Sequence, residues 1–344
     1  MKQLQNYLFE LCGETLPSGF ESEAKGVEAL LAPLVDECYK DSVGNVIGVR
    51  RSAFPNPKKV LLDAHLDEIG LMVTKIDDAG FIHFTNLAGF SPVALPATVV
   101  SVKGKRTLSG VVATLPPHLL SEEERKKPIE MKKMVIDVGY PAEKVREYVK
   151  VGDPIVLRQG CNELINDRIS GKALDNRAGV AVLLDMLQTL QKMPLAVELY
   201  VVFSAGEEFS GFGAKKAAME IGPDEAVVID VTHGESKGTP SGKAFPLGSG
   251  AVIGVAPILS GAVTDRLIEM AKQYQLSYTI EAISGCTGTN SDCIAASRKG
   301  VPTGLVSIPL RYMHSGCEVA DLHDLKVVSD LLSRYINRGG ARYE

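Results

Sequence analysis

Runs of nearly uninterrupted apolar residues constrain the fold of this chain more than any other feature. VELYVVFSA at 197–205, AVVI at 226–229 and TGLVSIPL at 303–310 show no in-out alternation. A strand that is apolar on both sides has to be covered on both faces. Between these runs lie segments with helical spacing at 175–190, 213–220, 263–274, 291–300 and 321–336, and further strands at 250–257 and 278–283. Strands alternating with helices predict an α/β/α sandwich around a mixed sheet. The N-terminal part fits the same layers, with amphipathic stretches at 2–11 and 21–34 and β-branched runs at 41–50 and 58–65.

The rhythm changes between residues 70 and 159. Short alternating runs (LMVTKI, GFIHFT, ATVVSVKG, LSGVVATL, MVIDVG) are broken by Gly and Pro, which predicts a sandwich or barrel of antiparallel strands. The charged segment SEEERKKPIEMKK within it reads as a solvated loop. At 344 residues the chain has room for about two domains. The division predicted is a discontinuous catalytic domain over 1–68 and 165–344, with an inserted β-barrel-like domain over 69–164. The class is α/β.

Composition excludes several roles. Apolar residues make up 45% and charged residues 23%, with a formal net charge of −5. Such a chain is globular and lacks the basic face that a nucleic-acid partner needs. No apolar stretch reaches membrane-spanning length. The N-terminus has no long apolar core of the kind found in a secretory signal. Six scattered cysteines without CxxC spacing read as reduced thiols, so the expected location is cytoplasmic.

Chemistry gathers where the chain leaves its apolar runs. VLLDAHLDEIG places His65 and Asp67 past one run, and VVFSAGEE places Glu207 and Glu208 past a second. AVVID ends a third with Asp230, and LVSIPLRYMHS follows a fourth with His314. Ligands of open α/β sheets bind outside the carboxyl ends of the strands. Asp175, in GKALDNRAG, falls at a predicted helix N-terminus, where its carboxylate can accept backbone N–H bonds and still present an oxygen. Taken singly, a strand-end His is an ordinary surface residue, Asp175 a helix cap and Asp230 a strand terminator. Taken together, two imidazoles and several carboxylates at one sheet edge suit zinc, cobalt or manganese. They suffice for two ions if Asp175 bridges them, with the ions about 3.5–4 Å apart as in aminopeptidases and phosphatases.

Asp67 is spaced to hold the His65 imidazole from behind. Adjacent Glu207 and Glu208 point in different directions, so one can bind metal while the other serves as general base. Cys286 and Cys293 lack a partner His, and no G-x-S-x-G elbow is present.

At these motifs the sequence resembles metallopeptidase family 42, the tetrahedral aminopeptidases, which include glutamyl and deblocking aminopeptidases. HLDEIG, VIDVG, VGDPIVL, GKALDNRAG, SAGEEFSGFGA, VVIDVTHG and RYMHS carry the resemblance across almost the whole chain. It implies one metal held by His65 and Asp230, a second by Glu208 and His314, and Asp175 between them. It also implies Glu207 as general base and Asp67 as the partner of His65. The implied cofactor is two divalent ions per subunit, zinc or cobalt. The implied activity is cleavage of the N-terminal bond of peptide substrates through a metal-bridging water. The resemblance further implies a barrel used for dimerisation and a homo-oligomer, a dodecamer built from dimers. Two positions depart from the family pattern: Asn290 stands where an Asp is usual, and Gly316 follows His314-Ser315 where Pro is common. The rival readings are another di-metal hydrolase, a carboxypeptidase or amidohydrolase with Arg311 as carboxylate anchor, and a non-catalytic peptide-binding shell. A preference for acidic residues would draw on Lys237, Lys243 or Arg311.

Overall fold

The computed structural model describes residues 1–240 and 242–338. Helices α1 (Lys2–Gly13) and α2 (Lys25–Leu31) precede strands β1 (Glu37–Lys40), β2 (Val46–Arg50) and β3 (Lys59–His65). The chain then builds β4 (Gly70–Ile76), β5 (Ile82–Leu87), β6 (Val99–Lys103), β7 (Thr107–Ala113), α3 (Glu122–Arg125), β8 (Val135–Asp137), α4 (Ala142–Tyr148) and β9 (Pro154–Leu157). It returns through β10 (Asn162–Leu164), β11 (Arg168–Gly171), α5 (Leu174–Leu190), β12 (Glu198–Ser204), α6 (Phe212–Ile221) and β13 (Glu225–His233). The last elements are β14 (Ala251–Val255), α7 (Gly261–Gln273), β15 (Tyr278–Ala282), α8 (Asn290–Ala295), β16 (Thr303–Leu310), β17 (Glu318–Asp321) and α9 (Leu322–Arg338).

Eight strands form one mixed sheet in the order β1-β2-β12-β3-β13-β16-β14-β15. Its central four, β12, β3, β13 and β16, are parallel, so their carboxyl ends share one edge. The expected covering of both faces is present, and strand geometry sorts the side chains. Along β3, Val60, Leu62 and Ala64 join a core with α1, α5, α7 and α9. Leu61, between them, joins a second core with Ala214, Ala217 and Ala218 of α6 and Ile294 of α8. Small alanines let α6 lie close to the sheet.

The inserted strands close into a six-stranded barrel, β4-β5-β8-β7-β6-β9, with an interior of its own built on Leu71, Val73, Phe84, Val100, Val102 and Ile155. Several local expectations were off. The amphipathic stretch 21–34 is broken into two 3-10 turns around α2, with Pro33 in the second turn. The charged segment expected as loop contains α3, because Ser121 and Glu124 form a reciprocal capping box. A small antiparallel sheet, β10-β11-β17, was not foreseen, since its strands are only three or four residues long. Among the described residues no helix is long and apolar enough to cross a membrane.

Where the chain leaves β3 for the barrel, Glu68 is fully buried. Its Oε2 lies 2.6 Å from Lys172 Nζ, its Oε1 accepts from Leu16 N–H, and Arg177 Nη2 is 3.7 Å away. Removing one partner of a buried ion pair leaves an uncompensated charge. Glu68→Ala is therefore expected to lose about 3–5 kcal/mol of stability, read by urea denaturation. A loss under about 1 kcal/mol, the range of exposed pairs, would contradict this account of the junction.

Candidate metal centre

The four parallel strands deliver the predicted residues to one edge. His65 is the last residue of β3, opposite Ser204 at the end of β12, and Glu207 and Glu208 follow Ser204 after Ala205 and Gly206. On β13, Val228 pairs with Asp63, so Asp230 comes level with His65 two residues further on. Asp230 also pairs with Ser307 of β16. It does not end its strand as the sequence suggested, because β13 continues to His233. His314 lies beyond β16 with φ +60°, in the left-handed region. Gly89, from the barrel, packs against its ring: a Cβ there would stand 2.9 Å from His314 Nδ1. The barrel thus reaches the site.

Asp175 is the centre of the cluster. Its Oδ1 is 3.0 Å from His65 Nε2 and its Oδ2 is 3.4 Å from His314 Nε2. His65 Nε2 also lies 3.8 Å from both Asp230 Oδ1 and Glu207 Oε2, and His314 Nε2 lies 3.5 Å from Glu208 Oε2. Two groups close enough to hold a cation result, His65–Asp175–Asp230 and Asp175–Glu208–His314, with Asp175 common to both. Its backbone is not helical (φ −80°, ψ 104°), and the Asp175–Asn176 peptide bond is cis. The helix-cap role expected of Asp175 belongs instead to Asn176, whose Oδ1 accepts from Gly179 N–H while its Nδ2 donates to Ile229 O. Both oxygens of Asp175 are thereby left for the site.

Two further carboxylates hold the ligands by their backbone. Asp67 Oδ1 accepts from Glu207 N–H (3.0 Å), and Oδ2 from Glu208 N–H (3.1 Å) and Ser18 Oγ (2.6 Å). The contact of His65 Nδ1 is chiefly to the Asp67 carbonyl at 3.1 Å, the carboxylate being 3.6 Å away. Asp67 therefore fixes the Glu207–Glu208 turn as much as the imidazole. Glu318, which the sequence reading passed over, accepts from Asp175 N–H and His314 N–H at 3.1 and 3.0 Å. A carboxylate in the apolar run EVADL was the available signal. Asp63, also passed over, lies buried in β3 and accepts from Asn290 Nδ2 (2.9 Å), which donates as well to Ser204 Oγ.

The electrostatics call for cations. Burial, opposed by His65 and reinforced by Asp175 and Asp67, pushes the Glu207 carboxyl up to about 7. Burial and the Asp175 charge raise Glu208, and burial with Glu207 and Asp175 raises Asp230. Burial works to lower the His65 imidazole, but Glu207, Asp175, Asp67 and Asp230 together hold it well above the ordinary value. Its hydrogen bond to Asp175 raises His314 despite burial. Burial would raise Asp175 too, yet the two imidazoles hold it well below the usual carboxylate range. Glu208 Oε1 is buried without a hydrogen-bond partner among the described residues. An orphaned carboxylate oxygen in a set of two His and three acids fits a divalent cation in each group.

The cluster forms one wall of a cavity of about 480 Å3, completed by Thr287 and Thr289, Thr232, Glu281, Leu305 and Met313, with neighbours. Among its described lining residues there is no lysine or arginine. Lys237, Lys243 and Arg311 are not on it, and Arg311 Nε donates to Glu235 O. Cys286 and Cys293 do not line it either.

The M42 glutamyl aminopeptidase family model matches residues 44–331. The chain is 32% identical over 303 residues to a lysyl aminopeptidase of Pyrococcus furiosus, covering 86% of this chain and 85% of that one. Its fold superposes on an aminopeptidase of the archaeon Desulfurococcus kamchatkensis with a TM-score of 0.92 at 34% identity, over 98% and 95% of the two chains. It also superposes on the TET1 peptidase of Pyrococcus horikoshii, described as assembling into a tetrahedron or a large octahedral shell. There the TM-score is 0.84 at 27% identity, over 97% and 99% of the chains.

Metal uptake has a predicted proton signature. Groups raised above their ordinary values hold protons in the cation-free protein, and a cation must displace them. Asp175, already ionised, releases none. Zinc affinity is therefore expected to rise with pH as the raised ligand groups His65, His314, Glu208 and Asp230 give up their protons. Proton release should be visible by calorimetry in buffers of different ionisation enthalpy. Binding without proton release, at an affinity flat from pH 6 to 8, would contradict the assignment of these groups as ligands.

Proposed function

This chain belongs to the M42 glutamyl aminopeptidase family, whose members are peptide-bond hydrolases, and from that premise we propose that it is a metal-dependent aminopeptidase working through Glu207. The observation that carries this reading is the sharing of Asp175 by two ligand groups, with Glu207 beside them and in neither. In this reading His65 and Asp230 hold one divalent ion, Glu208 and His314 the other, and Asp175 touches both. Zinc or cobalt suits that donor set. When bound, the ions supply Lewis-acid polarisation of the scissile carbonyl and lower the pKa of the attacking water.

The side chains do the rest. Glu207 does not belong to either ligand group, and cations beside it would favour its charged form, so it can take a proton from water and return it to the leaving amine. Asp67 keeps Glu207 and Glu208 from trading places by holding both backbone N–H groups. The free α-amine of a peptide would dock on one of the ions or on a nearby carboxylate, which favours cleavage at the N-terminus. The carboxypeptidase alternative loses its anchor, since Arg311 is engaged with Glu235 away from the cavity.

The barrel, residues 69–164 in the proposed division, is the assembly module in this reading. Val93, Leu115 and Leu119 are 74%, 58% and 64% exposed on it, apolar surface that a second subunit could cover. A homo-oligomeric shell like that described for the Pyrococcus horikoshii peptidase is the assembly we propose. A cytoplasmic location accords with the six free cysteines.

Glu207→Gln should lower kcat by about 10²–10⁴-fold while zinc stoichiometry stays at the wild-type value. Chelation should abolish turnover and added zinc or cobalt restore it. A peptide whose N-terminus is acetylated should resist cleavage. Undiminished turnover by Glu207→Gln, or equal rates on blocked and free peptides, would sink this mechanism.

A further inference from the structure

One carboxylate on the cavity wall has no part in the ligand groups. Glu281, on the edge strand β15, is half-buried, and its Oε1 accepts a hydrogen bond from Thr232 Oγ1 at 3.0 Å. Outside the metal cluster, Glu281 and His233 are the titratable side chains among those described on the cavity wall. Nothing cationic of the Lys or Arg type faces Glu281 across the cavity. The neighbouring wall is apolar, formed by Ile283, Leu305 and Met313. The cavity therefore combines the cluster of imidazoles and carboxylates, an aliphatic wall and one further carboxylate fixed by a threonine.

We infer that Glu281 is the specificity residue of this cavity and selects peptides whose first residue carries a basic side chain, lysine or arginine. The inference rests on the aminopeptidase reading above. A lysine side chain matches the lining chemically, because its methylene stem packs on apolar residues while its ammonium reaches a charged partner. A leucine side chain would help bury Glu281 without supplying a partner, which costs binding. A glutamate side chain would meet both Glu281 and the cluster carboxylates, a like-charge arrangement that acts against it. The hydrogen bond from Thr232 leaves Glu281 Oε2 available to a ligand. Burial raises the Glu281 carboxyl, and a cationic ligand beside it would favour the charged form.

The test compares wild type, Glu281→Gln and Glu281→Lys on lysyl, arginyl, leucyl and glutamyl substrates of one leaving group. Free lysine, norleucine and glutamate are titrated against the same proteins by calorimetry without added metal. Wild type should prefer lysyl over leucyl substrates by about tenfold or more in kcat/KM. Glu281→Gln should lose most of that preference with leucyl turnover preserved, and Glu281→Lys should shift preference toward glutamyl. A merely structural Glu281 would instead depress every substrate together. Leucyl or glutamyl substrates cleaved as well as lysyl ones by wild type would overturn this inference while leaving the aminopeptidase reading intact. Absence of hydrolysis on all four would overturn that reading. The calorimetry then still decides here: lysine binding more tightly than norleucine in wild type but not in Glu281→Gln supports the assignment, and equal binding rejects it.

Discussion

The shared carboxylate of Asp175 is the interaction on which the rest of this site depends. One oxygen faces His65 and the other His314, and around that axis stand Glu207, Glu208 and Asp230, all buried or nearly so. So many acids cannot all be ionised out of water without counter-charge. In the cation-free protein the two imidazoles and displaced protons supply it. A divalent ion on each side of Asp175 would supply it better, and would satisfy the Glu208 oxygen that has no partner. The site is thus strained in charge rather than in shape, a condition that belongs to binding more than to stability.

Such a cluster has to be held from behind, and the holding groups are themselves carboxylates. Asp67 grips the backbone of Glu207 and Glu208, and Glu318 grips that of Asp175 and His314. Asp67 ties the end of β3 to the turn that follows β12, and Glu318, at the start of β17, ties Asp175 to His314. Asn290 does similar work one layer deeper, between Asp63 and Ser204. The Asn that departs from the family's usual Asp thus sits against a buried carboxylate, where a second Asp would put two negative charges in contact. Asn290 avoids that repulsion by donating.

Much of this was legible in the sequence, for identifiable reasons. Uniformly apolar runs gave the covered sheet, and the strand-end rule brought His65, Glu207, Glu208, Asp230 and His314 to one edge. The barrel followed from period-two alternation. What stayed hidden depended on contacts far apart in the chain. The bridging place of Asp175 was legible, but the cap was assigned to it as well because local statistics favour Asp there; the neighbouring Asn176 takes the capping role and leaves both Asp175 oxygens to the site. Glu318 and Asp63 were overlooked as single acids in apolar strands, though a charge there is uncommon enough to have been a signal. Glu281 carried none, since an edge strand tolerates acids. Its cavity exists only once the sheet order brings Glu281 of β15 within a hydrogen bond of Thr232 on β13.

The most direct test of the account is anomalous diffraction from crystals soaked with zinc. Two peaks per subunit are expected, one beside His65 and Asp230 and the other beside Glu208 and His314, with Asp175 between them. A single peak, or zinc bound elsewhere with Asp175 left facing its two imidazoles, would contradict it.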